Sequence, residues 1–286
     1  MHKIAPSYDI KWAQVDKPKP LTDPIIESLI EEILDGKLDR DISNNVFDEF
    51  KDLVESSIKS SSLNTITGFE KFSRKDVCLG CTQFIDSLYM TGAVQVLQGD
   101  YRYHERLNPN ISYRSLGNLI PDIPLIIATP FPSTGDVHKF MSEILDECLI
   151  KNIPVHIDGA WVTCSKDITF DLQHPAITSI AISLSKGLGL GWNRIGVRWT
   201  TNTAPDAISI MNDFNMNLKL PVKVGIHFLR KISVDHLWNN YAKFNSKICK
   251  DFNLTPTKSI HLALLNGQPI GISPLIRFLI NNEKSE

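Results

Sequence analysis

The sequence predicts an α/β fold with a mainly parallel central sheet and helices on both of its faces. Between residues 76 and 200, short apolar runs rich in β-branched residues alternate with stretches of helical periodicity. Such alternation is typical of parallel sheets, because each helix carries the chain back to the start of the next strand. After Trp199 a polar stretch, residues 201–206, indicates a linker into a smaller α+β domain.

We therefore divide the chain into an N-terminal helical segment (residues 1–74), a large domain (75–200) and a small C-terminal domain (201–286). Apolar residues at helical spacing predict amphipathic helices at 22–35 and 44–59. Further helices are predicted at 136–151, 222–231 and 234–249, and strands at 94–97, 125–128, 155–158, 177–183, 195–200, 260–265 and 275–280.

A lysine in the large domain has the surroundings of a covalent cofactor site. Lys186 lies among serines and glycines in residues 183–196, with Arg194 eight positions downstream. A lysine amine forms a Schiff base with an aldehyde, and hydroxyls, glycine-exposed amides and an arginine suit a phosphate dianion. The alternative for this stretch is a solvated glycine loop.

An acid also lies at the end of a predicted strand. Asp158 follows the apolar run that begins at Ile153 and is followed by small residues. Ligands bind at the carboxyl ends of strands in open α/β sheets, where a buried acid can pair with a protonated pyridine nitrogen. The alternative role for Asp158 is a helix N-cap or a turn.

Two further segments add an anion-binding turn and an aromatic ring. Residues 77–88 predict a strand that breaks at Gly80 into an amphipathic helix, whose first amides favour a phosphate. Residues 99–104 follow the strand at 94–97 and include Tyr101 and His104. A tyrosine ring packs well on a planar heterocycle, although both residues could be merely structural.

In residue type, order and spacing these motifs resemble the pyridoxal-phosphate enzymes of fold type I, the aspartate aminotransferase superfamily. The resemblance covers residues 75–200 firmly and 201–286 loosely. It implies a Schiff base between pyridoxal 5'-phosphate and Lys186, an ion pair of Asp158 with the pyridine nitrogen, and stacking of Tyr101 on the ring. It also places His104 near the acid. The implied cofactor contacts are Gly80, Cys81, Thr82, Tyr101, Asp158, Ala160, Trp161, Ser183, Ser185, Lys186 and Arg194.

A lone arginine near the C-terminus is the candidate substrate contact. Arg277 interrupts an otherwise apolar run at residues 274–280, predicted to be a strand, and a buried arginine requires a partner. The resemblance implies a bidentate clamp on the α-carboxylate of an amino acid, a geometry that lysine does not reproduce. The alternative is an arginine on an edge strand that points into solvent.

The chain also departs from the family pattern. Many members carry an asparagine near the equivalent of residues 126–135 that bonds the phenolic oxygen of the cofactor, and here Ser133 or Thr134 is the candidate substitute. Trp161 stands where a tyrosine is common, and an indole donates a hydrogen bond but cannot accept one. The chain is also shorter than the typical member.

Composition limits the partners. A net charge of -2 with 22% charged residues offers no basic field for nucleic acid, and no apolar run is long enough to cross a membrane. Five cysteines and no secretion signal favour the cytoplasm. Cys78 and Cys81 form a Cys-x-x-Cys pair, but without a second pair we expect neither zinc nor redox chemistry. We expect His156 to be a core histidine.

These observations predict a cytoplasmic aminotransferase that exchanges an amino group between an L-amino acid and a keto acid, and the resemblance implies a homodimer. Three alternatives remain. The first is another fold type I reaction: elimination or other lyase chemistry, decarboxylation, cyclisation or oxygen-dependent oxidation. The second is a pyridoxal-phosphate-binding protein without turnover. The third is an α/β domain in which the lysine motif is a coincidence.

Overall fold

A computed structural model describes residues 5, 7–13, 20–38 and 43–283. The α-helices are α1 (Pro24–Leu34), α2 (Asn45–Lys59), α3 (Gly80–Thr91), α4 (Tyr103–Leu107), α5 (Met141–Ile150), α6 (Ala207–Asp213), α7 (Lys219–Leu229), α8 (His236–Asp251) and α9 (Ser273–Glu283). The strands are β1 (Thr65–Thr67), β2 (Arg74–Cys78), β3 (Gln95–Leu97), β4 (Tyr113–Arg114), β5 (Leu125–Ala128), β6 (Val155–Gly159), β7 (Thr169–Asp171), β8 (Ile177–Ser183), β9 (Gly196–Thr200), β10 (Thr255–Pro256), β11 (Leu262–Leu265) and β12 (Gln268–Gly271).

The predicted mainly parallel central sheet is confirmed. It has seven strands in the order β2-β9-β8-β6-β5-β3-β4. The pairs from β8 to β4 are parallel, whereas β9 runs antiparallel to both of its neighbours, β2 and β8. Because β5, β6 and β8 run in the same direction, their carboxyl ends meet at one edge of the sheet, which is the edge where ligands bind in such folds.

Helices cover both faces of the sheet. Neighbouring side chains of a strand point to opposite faces, and Ile126 accordingly packs with Ile85 of α3, whereas Ile127 belongs to the main core on the other face. That main core also contains Ile26 of α1 and Ile276 of α9. It therefore includes residues of all three predicted regions, and their boundaries stay a prediction.

The small C-terminal region combines the antiparallel sheet β10-β11-β12 with α8 and α9. Here one prediction is wrong, since the strand expected at residues 275–280 is the helix α9. Leu275, Ile276 and Ile280 are buried on the same element, and a short apolar run of this kind fits a buried helix as well as a strand. Pro274 is the second residue of α9, where a helix needs no backbone N–H.

The other differences concern short or irregular segments. The helix expected at 136–151 begins only at Met141, because the backbone of Asp136 pairs with that of Phe131 and diverts the chain. The sequence did not predict the short elements α4, α6, β1, β4, β7, β10 and β12. In the described part of the chain, every helix is too short or too polar to span a bilayer.

A buried ion cluster links β9 to β2 and to the residue that precedes α6. It leads to a stability prediction. The Arg198 guanidinium contacts Asp76 at 2.5 Å and also bonds Asp206, and all three side chains are largely buried. Arg198→Leu would remove the guanidinium that pairs with both carboxylates. We therefore expect a loss of about 3 kcal/mol in the free energy of unfolding. Denaturant titration measures this loss.

Arg230→Leu is the matched control, because the ion pair of Arg230 with Glu49 lies on the surface. We expect this substitution to cost at most about 1 kcal/mol. Equal losses in the two variants would contradict the assignment of a structural role to the buried cluster.

Candidate active site

A cavity of about 590 Å³ opens at the sheet edge where β5, β6 and β8 end. A second cavity, of about 300 Å³, lies between α2 and α7 and contains none of the predicted site residues. The predicted residues that line the larger cavity are Cys81, Thr82, Tyr101, Asp158, Ala160, Trp161, Ser183, Ser185, Lys186 and Arg194. Gly80 and Arg277 do not line it, and each is described below.

Lys186 enters the cavity from the loop that follows β8. The chain turns there at Gly187, where a Cβ atom would lie only 2.0 Å from the Thr163 carbonyl oxygen. Only glycine therefore lets the loop pass so close to the backbone of residue 163. Burial lowers the pKa of the Lys186 amine, an effect that Asp158 and the cysteines partly oppose. The shift favours the neutral amine, which is the nucleophilic form.

Asp158 lies near the end of β6, next to the lysine in the cavity wall. Its side chain is 4% exposed, and its Oδ1 accepts a hydrogen bond of 2.9 Å from the Ala160 amide. The Cys81 thiol also bonds the carboxylate, while lying 3.2 Å from the Ala181 carbonyl oxygen. Burial raises the pKa of Asp158, and the thiol, the amide and Lys186 counteract that shift. A cationic partner in the cavity would favour the charged form further.

The anion-binding corner is formed by the start of α3, the end of β8 and Arg194. The Arg194 guanidinium bonds Thr82 Oγ1, and Ser183 Oγ donates to Ser185 Oγ at 3.0 Å. Gly80 has a φ of +73°, and a Cβ atom there would lie 2.9 Å from Ser183 Oγ. Gly80 thus does not line the cavity but allows this close approach. Hydroxyls, a guanidinium and a helix N-terminus together favour a phosphate.

The two candidate residues of segment 99–104, Tyr101 and His104, lie in different surroundings. Tyr101 lines the cavity and stacks on Tyr103 with ring centroids 5.8 Å apart. His104 lies behind the wall, where its Nδ1 is 3.1 Å from the hydroxyl of Tyr89. Burial lowers the pKa of His104 to about 4, so it is neutral at physiological pH. The structure therefore gives His104 a packing role rather than a contact with Asp158.

The structure distinguishes the two hydroxyl residues proposed in place of an asparagine. Ser133 lines the cavity, whereas Thr134 Oγ1 lies 3.4 Å from both the Phe131 carbonyl oxygen and the Asp136 amide and is used in a local turn. Pro132 and Trp161 line the cavity as well. Ser133 is therefore the better-placed of the two predicted substitutes.

Arg277 lies behind the cavity wall. It is 3% exposed, and its Nη1 donates a 3.1 Å hydrogen bond to the carbonyl oxygen of Pro20, which does line the cavity. Burial lowers the pKa of Arg277 to about 10. The buried His261 lies within electrostatic range of both Arg277 and Lys186, and burial lowers its pKa to about 3. Among the described residues, the ring nitrogens of His261 have no hydrogen-bond partner.

The remaining sequence candidates are the cysteines and His156. All five cysteines are buried free thiols, and the described residues contain no group of three side chains arranged to hold a metal. His156, expected in the core, lies on β6 with its Nδ1 2.7 Å from Ser179 Oγ. Burial lowers the pKa of His156 to about 4.

Sequence reasoning missed several lining residues, of which Asp100 is the most notable. It is 5% exposed and lines the cavity together with Gln98, Glu105, Tyr113 and Pro20. Asp100 follows an apolar run, as Asp158 does, so the rule that acids at strand ends mark a site could have identified it. Pro20 has no such indicator, because it comes from a distant part of the chain.

No protein-family model and no curated protein sequence matches this chain. Several solved structures, however, match this chain. The alanine aminotransferase from Pyrococcus furiosus matches with a TM-score of 0.61 and 13% identity, over 87% of this chain and 75% of that one. The histidinol-phosphate aminotransferase from Sinorhizobium meliloti in complex with pyridoxal-5'-phosphate matches with a TM-score of 0.60 and 14% identity, over 88% and 74%.

A lyase has a similar structure too. The PLP-bound C-S lyase from Staphylococcus hominis matches with a TM-score of 0.60 and 13% identity, over 87% of this chain and 76% of that one. At such identities the matches report on the fold rather than on the reaction. The fold of this chain is that of these aminotransferases and of this lyase.

Proposed function

We propose that the protein is a pyridoxal-phosphate-dependent aminotransferase that acts on an L-amino acid. One observation carries the proposal: a half-buried lysine, a buried acid and an anion-binding corner line the same cavity. Pyridoxal phosphate, when bound, supplies an aldehyde for the lysine and a ring that delocalises the electrons of a broken Cα bond. A plain α/β domain would have no reason to bring these groups together.

The residues present fit that cofactor. Thr82, Ser183 and Arg194 would hold the phosphate, since Gly80 allows hydroxyl and guanidinium groups to converge there. Asp158 would pair with the pyridine nitrogen, because a cationic partner would offset the burial that raises the pKa of its carboxyl group. Tyr101 would face the ring from the cavity wall. These roles are proposals for this chain.

Lys186 would perform the proton transfer. With the cofactor present, its Nζ would be the group that holds the aldehyde, and as a free amine it would accept the proton of the substrate Cα as a base and return it as an acid. The lowered pKa of Lys186 favours the neutral amine, which is the form that can act as a base. Pro130, Pro132 and Leu262 contribute apolar surface to the wall of the same cavity.

Arg277 remains our candidate for the substrate carboxylate, and the structure adds a condition. Pro20 lies between Arg277 and the cavity, and its carbonyl oxygen accepts a hydrogen bond from Arg277 Nη1. A substrate carboxylate would therefore have to displace the Pro20 carbonyl oxygen from the guanidinium. Such a displacement exchanges a neutral acceptor for a charged one, which is the stronger hydrogen bond.

Arg277→Lys tests this assignment. We expect the KM for the amino acid to rise about tenfold or more, because lysine keeps the charge but loses the two-pronged geometry. Binding of pyridoxal phosphate should not change, since Arg277 does not line the cofactor cavity. Steady-state kinetics and a cofactor titration measure the two effects, and an unchanged KM would remove Arg277 from the substrate site.

A second candidate function is lyase or other fold type I chemistry on an amino acid. The observations that favour it are the structural likeness to a C-S lyase and the presence of Trp161 in the cavity wall, where an aminotransferase commonly has tyrosine. The same lysine and acid would serve elimination, decarboxylation, cyclisation or oxidation. A cofactor-binding protein without turnover is the third possibility.

Absorption spectroscopy tests the proposed function. The purified protein is mixed with pyridoxal phosphate, and its visible spectrum is recorded before and after adding L-amino acids, with and without oxygen. Aminotransfer predicts conversion of the bound cofactor to its amine form and restoration by a keto acid. Release of ammonia or consumption of oxygen would instead support the second candidate. Absence of a visible band would overturn the cofactor assignment.

We also propose that the protein is a cytoplasmic homodimer. The segment between α6 and α7 exposes Phe214, Met216 and Leu218, at 71%, 62% and 56%. Trp192 of the lysine loop is 53% exposed, and the neighbouring Asn193 bonds the Pro221 carbonyl oxygen. Clustered exposed apolar side chains of this kind mark an interaction surface.

The dimer surface leads to a prediction for Leu218→Glu. We expect this variant to be monomeric at concentrations where the unmodified protein is a dimer, because a charge would be buried in an apolar interface. Light scattering after size-exclusion chromatography gives the mass. Ile150→Glu, at an exposed position on the last turn of α5, is the control that should stay dimeric. A monomeric unmodified protein would contradict the proposal.

A further inference from the structure

The start of α3 places a thiol beside the buried acid of the cavity. Cys81 is the second residue of α3, is 4% exposed and lines the cavity together with Asp158. Its Sγ donates a 3.2 Å hydrogen bond to the carbonyl oxygen of Ala181 on β8. The same side chain is hydrogen-bonded to the Asp158 carboxyl group. The thiol therefore stands between the backbone of the sheet and the acid.

The strand pairing explains why this thiol reaches the acid. Ala181 is the register partner of Asp158 across β6 and β8, and partners in such a pair project their side chains from the same face of the sheet. Cys81 packs in one apolar cluster with Ala181, so α3 covers that face. One helical turn further along α3, the Phe84 ring packs edge-on against His156, two residues before the acid, with ring centroids 6.3 Å apart. Helix and strand thus run alongside each other at this point.

The described contacts of the phosphate corner do not include the Cys81 side chain. Arg194 bonds Thr82 Oγ1, and Ser183 Oγ donates to Ser185 Oγ. A thiol has a single proton to donate, and both acceptors of the Cys81 proton lie on β6 and β8. The resemblance implied a contact of Cys81 with the phosphate, whereas its thiol is used at the acid.

A thiol suits this position because its two sides differ. On one side it packs with Phe84, Ala181 and Ile208, where a small apolar atom is favourable. On the other side it offers an S–H donor to Asp158. Burial raises the pKa of Cys81 well above its ordinary value, and the nearby charge of Asp158 adds to the rise, so the thiol keeps its proton. Cys81 is therefore a lasting donor rather than a nucleophile.

The two acceptors of the thiol proton differ in strength. The Ala181 carbonyl oxygen is neutral, whereas an ionised Asp158 is charged, and a charged acceptor forms the stronger hydrogen bond. Asp158 Oδ1 already accepts a 2.9 Å hydrogen bond from the Ala160 amide. A second donor on the same group favours the carboxylate over the protonated acid and fixes its direction.

We propose that Cys81 is a positioning residue of the cofactor site, whose thiol donates a hydrogen bond to ionised Asp158 and holds that carboxylate in place for the ring nitrogen. The inference rests on the proposed cofactor. Cys81 acts through Asp158 rather than on the substrate. The acid is then held by a donor from α3 and by the Ala160 amide directly after β6. One thiol of the Cys-x-x-Cys pair thereby has a role that needs neither metal nor oxidation.

The first test uses the protein without cofactor, at about pH 8, where an acid with a moderately raised pKa is ionised. The S–H stretching band of a thiol lies in a part of the infrared spectrum free of other protein bands, and Cys81→Ser identifies the band of Cys81 by difference. We expect Asp158→Asn to move this band to higher frequency, because an amide oxygen is a weaker acceptor than a carboxylate. Asp171→Asn, at an exposed position on β7, is the control that should leave the band in place. A band unchanged in Asp158→Asn would overturn the proposal.

The second test measures the protonation of the ring nitrogen in the bound cofactor. Pyridoxal phosphate labelled with nitrogen-15 is added, and the NMR shift of its ring nitrogen reports whether that atom carries a proton. We expect the protonated form in the unmodified protein and in Cys81→Ser, which keeps a donor, and a smaller protonated fraction in Cys81→Ala. Cys78→Ala removes the other buried thiol of the pair and should behave as the unmodified protein.

Turnover gives a third readout. Cys81→Ala should lower kcat for an amino acid about tenfold, as expected for the loss of a hydrogen bond to a charged group, and change the Kd for pyridoxal phosphate by less than about threefold. Cys81→Ser should keep kcat within about threefold of the unmodified protein. Equal losses of kcat in Cys81→Ala and Cys81→Ser would mean that the thiol only fills space, and the proposal would be wrong.

These tests separate the inference from the proposed function. A chain that binds no pyridoxal phosphate would overturn the proposed function, and with it the purpose of holding Asp158, even if the infrared band shifts as expected. Cofactor binding and turnover that are unchanged in Cys81→Ala would overturn the role of Cys81 alone. Thermal unfolding of each variant, followed by circular dichroism, establishes that the compared proteins are folded.

Discussion

Replacing Lys186 with alanine should lower the turnover of an amino acid by about a thousandfold or more. The variant loses the amine that binds the aldehyde and also the base that moves the Cα proton, and each loss alone is severe. The cofactor should still enter the cavity, because Thr82, Ser183 and Arg194 form the phosphate corner without the lysine.

The visible spectrum and the turnover rate of Lys186→Ala measure this prediction. The band that arises when the cofactor binds the lysine amine should vanish, while free cofactor remains detectable in the cavity by fluorescence quenching. Lys166→Ala is the control, since that side chain is partly exposed and pairs with Asp167 on the surface. A band that survives Lys186→Ala at full strength would contradict the assignment of the covalent residue.

Asp158→Asn should reduce turnover by about a hundredfold to a thousandfold, comparable to the loss of one preorganised charge-stabilising group in other active sites. Asparagine keeps the shape of the side chain and can still accept the 2.9 Å hydrogen bond from the Ala160 amide. It removes the negative charge that would keep the ring nitrogen protonated. The defect should therefore appear in kcat rather than in the stability of the fold.

Turnover and thermal unfolding of Asp158→Asn separate these two effects. We expect the unfolding temperature to stay the same or rise, because burial of the Asp158 charge is unfavourable in the chain without ligand. Asp171→Asn, at an exposed position on β7, provides the comparison. Normal turnover in Asp158→Asn would exclude an ion pair with the ring from the mechanism.

Much of the fold could be predicted because its determinants are local. The helices at 22–35 and 44–59, the turn at Gly80 and the strands that end near Ala128, Asp158 and Ser183 all appear within two residues of their expected bounds. In each case the signals lie within a few consecutive residues. They are the spacing of the apolar residues and a glycine or an acid at the end of the element. Alternation of such stretches was then enough to predict a parallel sheet.

The same reasoning located the acid and the lysine. In a parallel sheet the strand ends meet at one edge, so residues that follow β6 and β8 must lie close together, and Asp158 and Lys186 do line one cavity. Their grouping with Ser183 and Arg194 needed no further knowledge of side-chain packing. Their chemical roles stay proposals until the substitutions above are measured.

The sequence by itself thus determined the sheet, its helices and the edge at which a ligand would bind, because these follow from local periodicity and from chain direction. Only the tertiary structure decided that Arg277 lies on a helix behind Pro20, that Ser133 rather than Thr134 faces the cavity, and that Asp100 lines the same cavity as Asp158. The physical reason is that burial and pKa depend on neighbours from distant parts of the chain. Arg277 and Pro20, for example, are 257 residues apart, a contact that no local pattern contains.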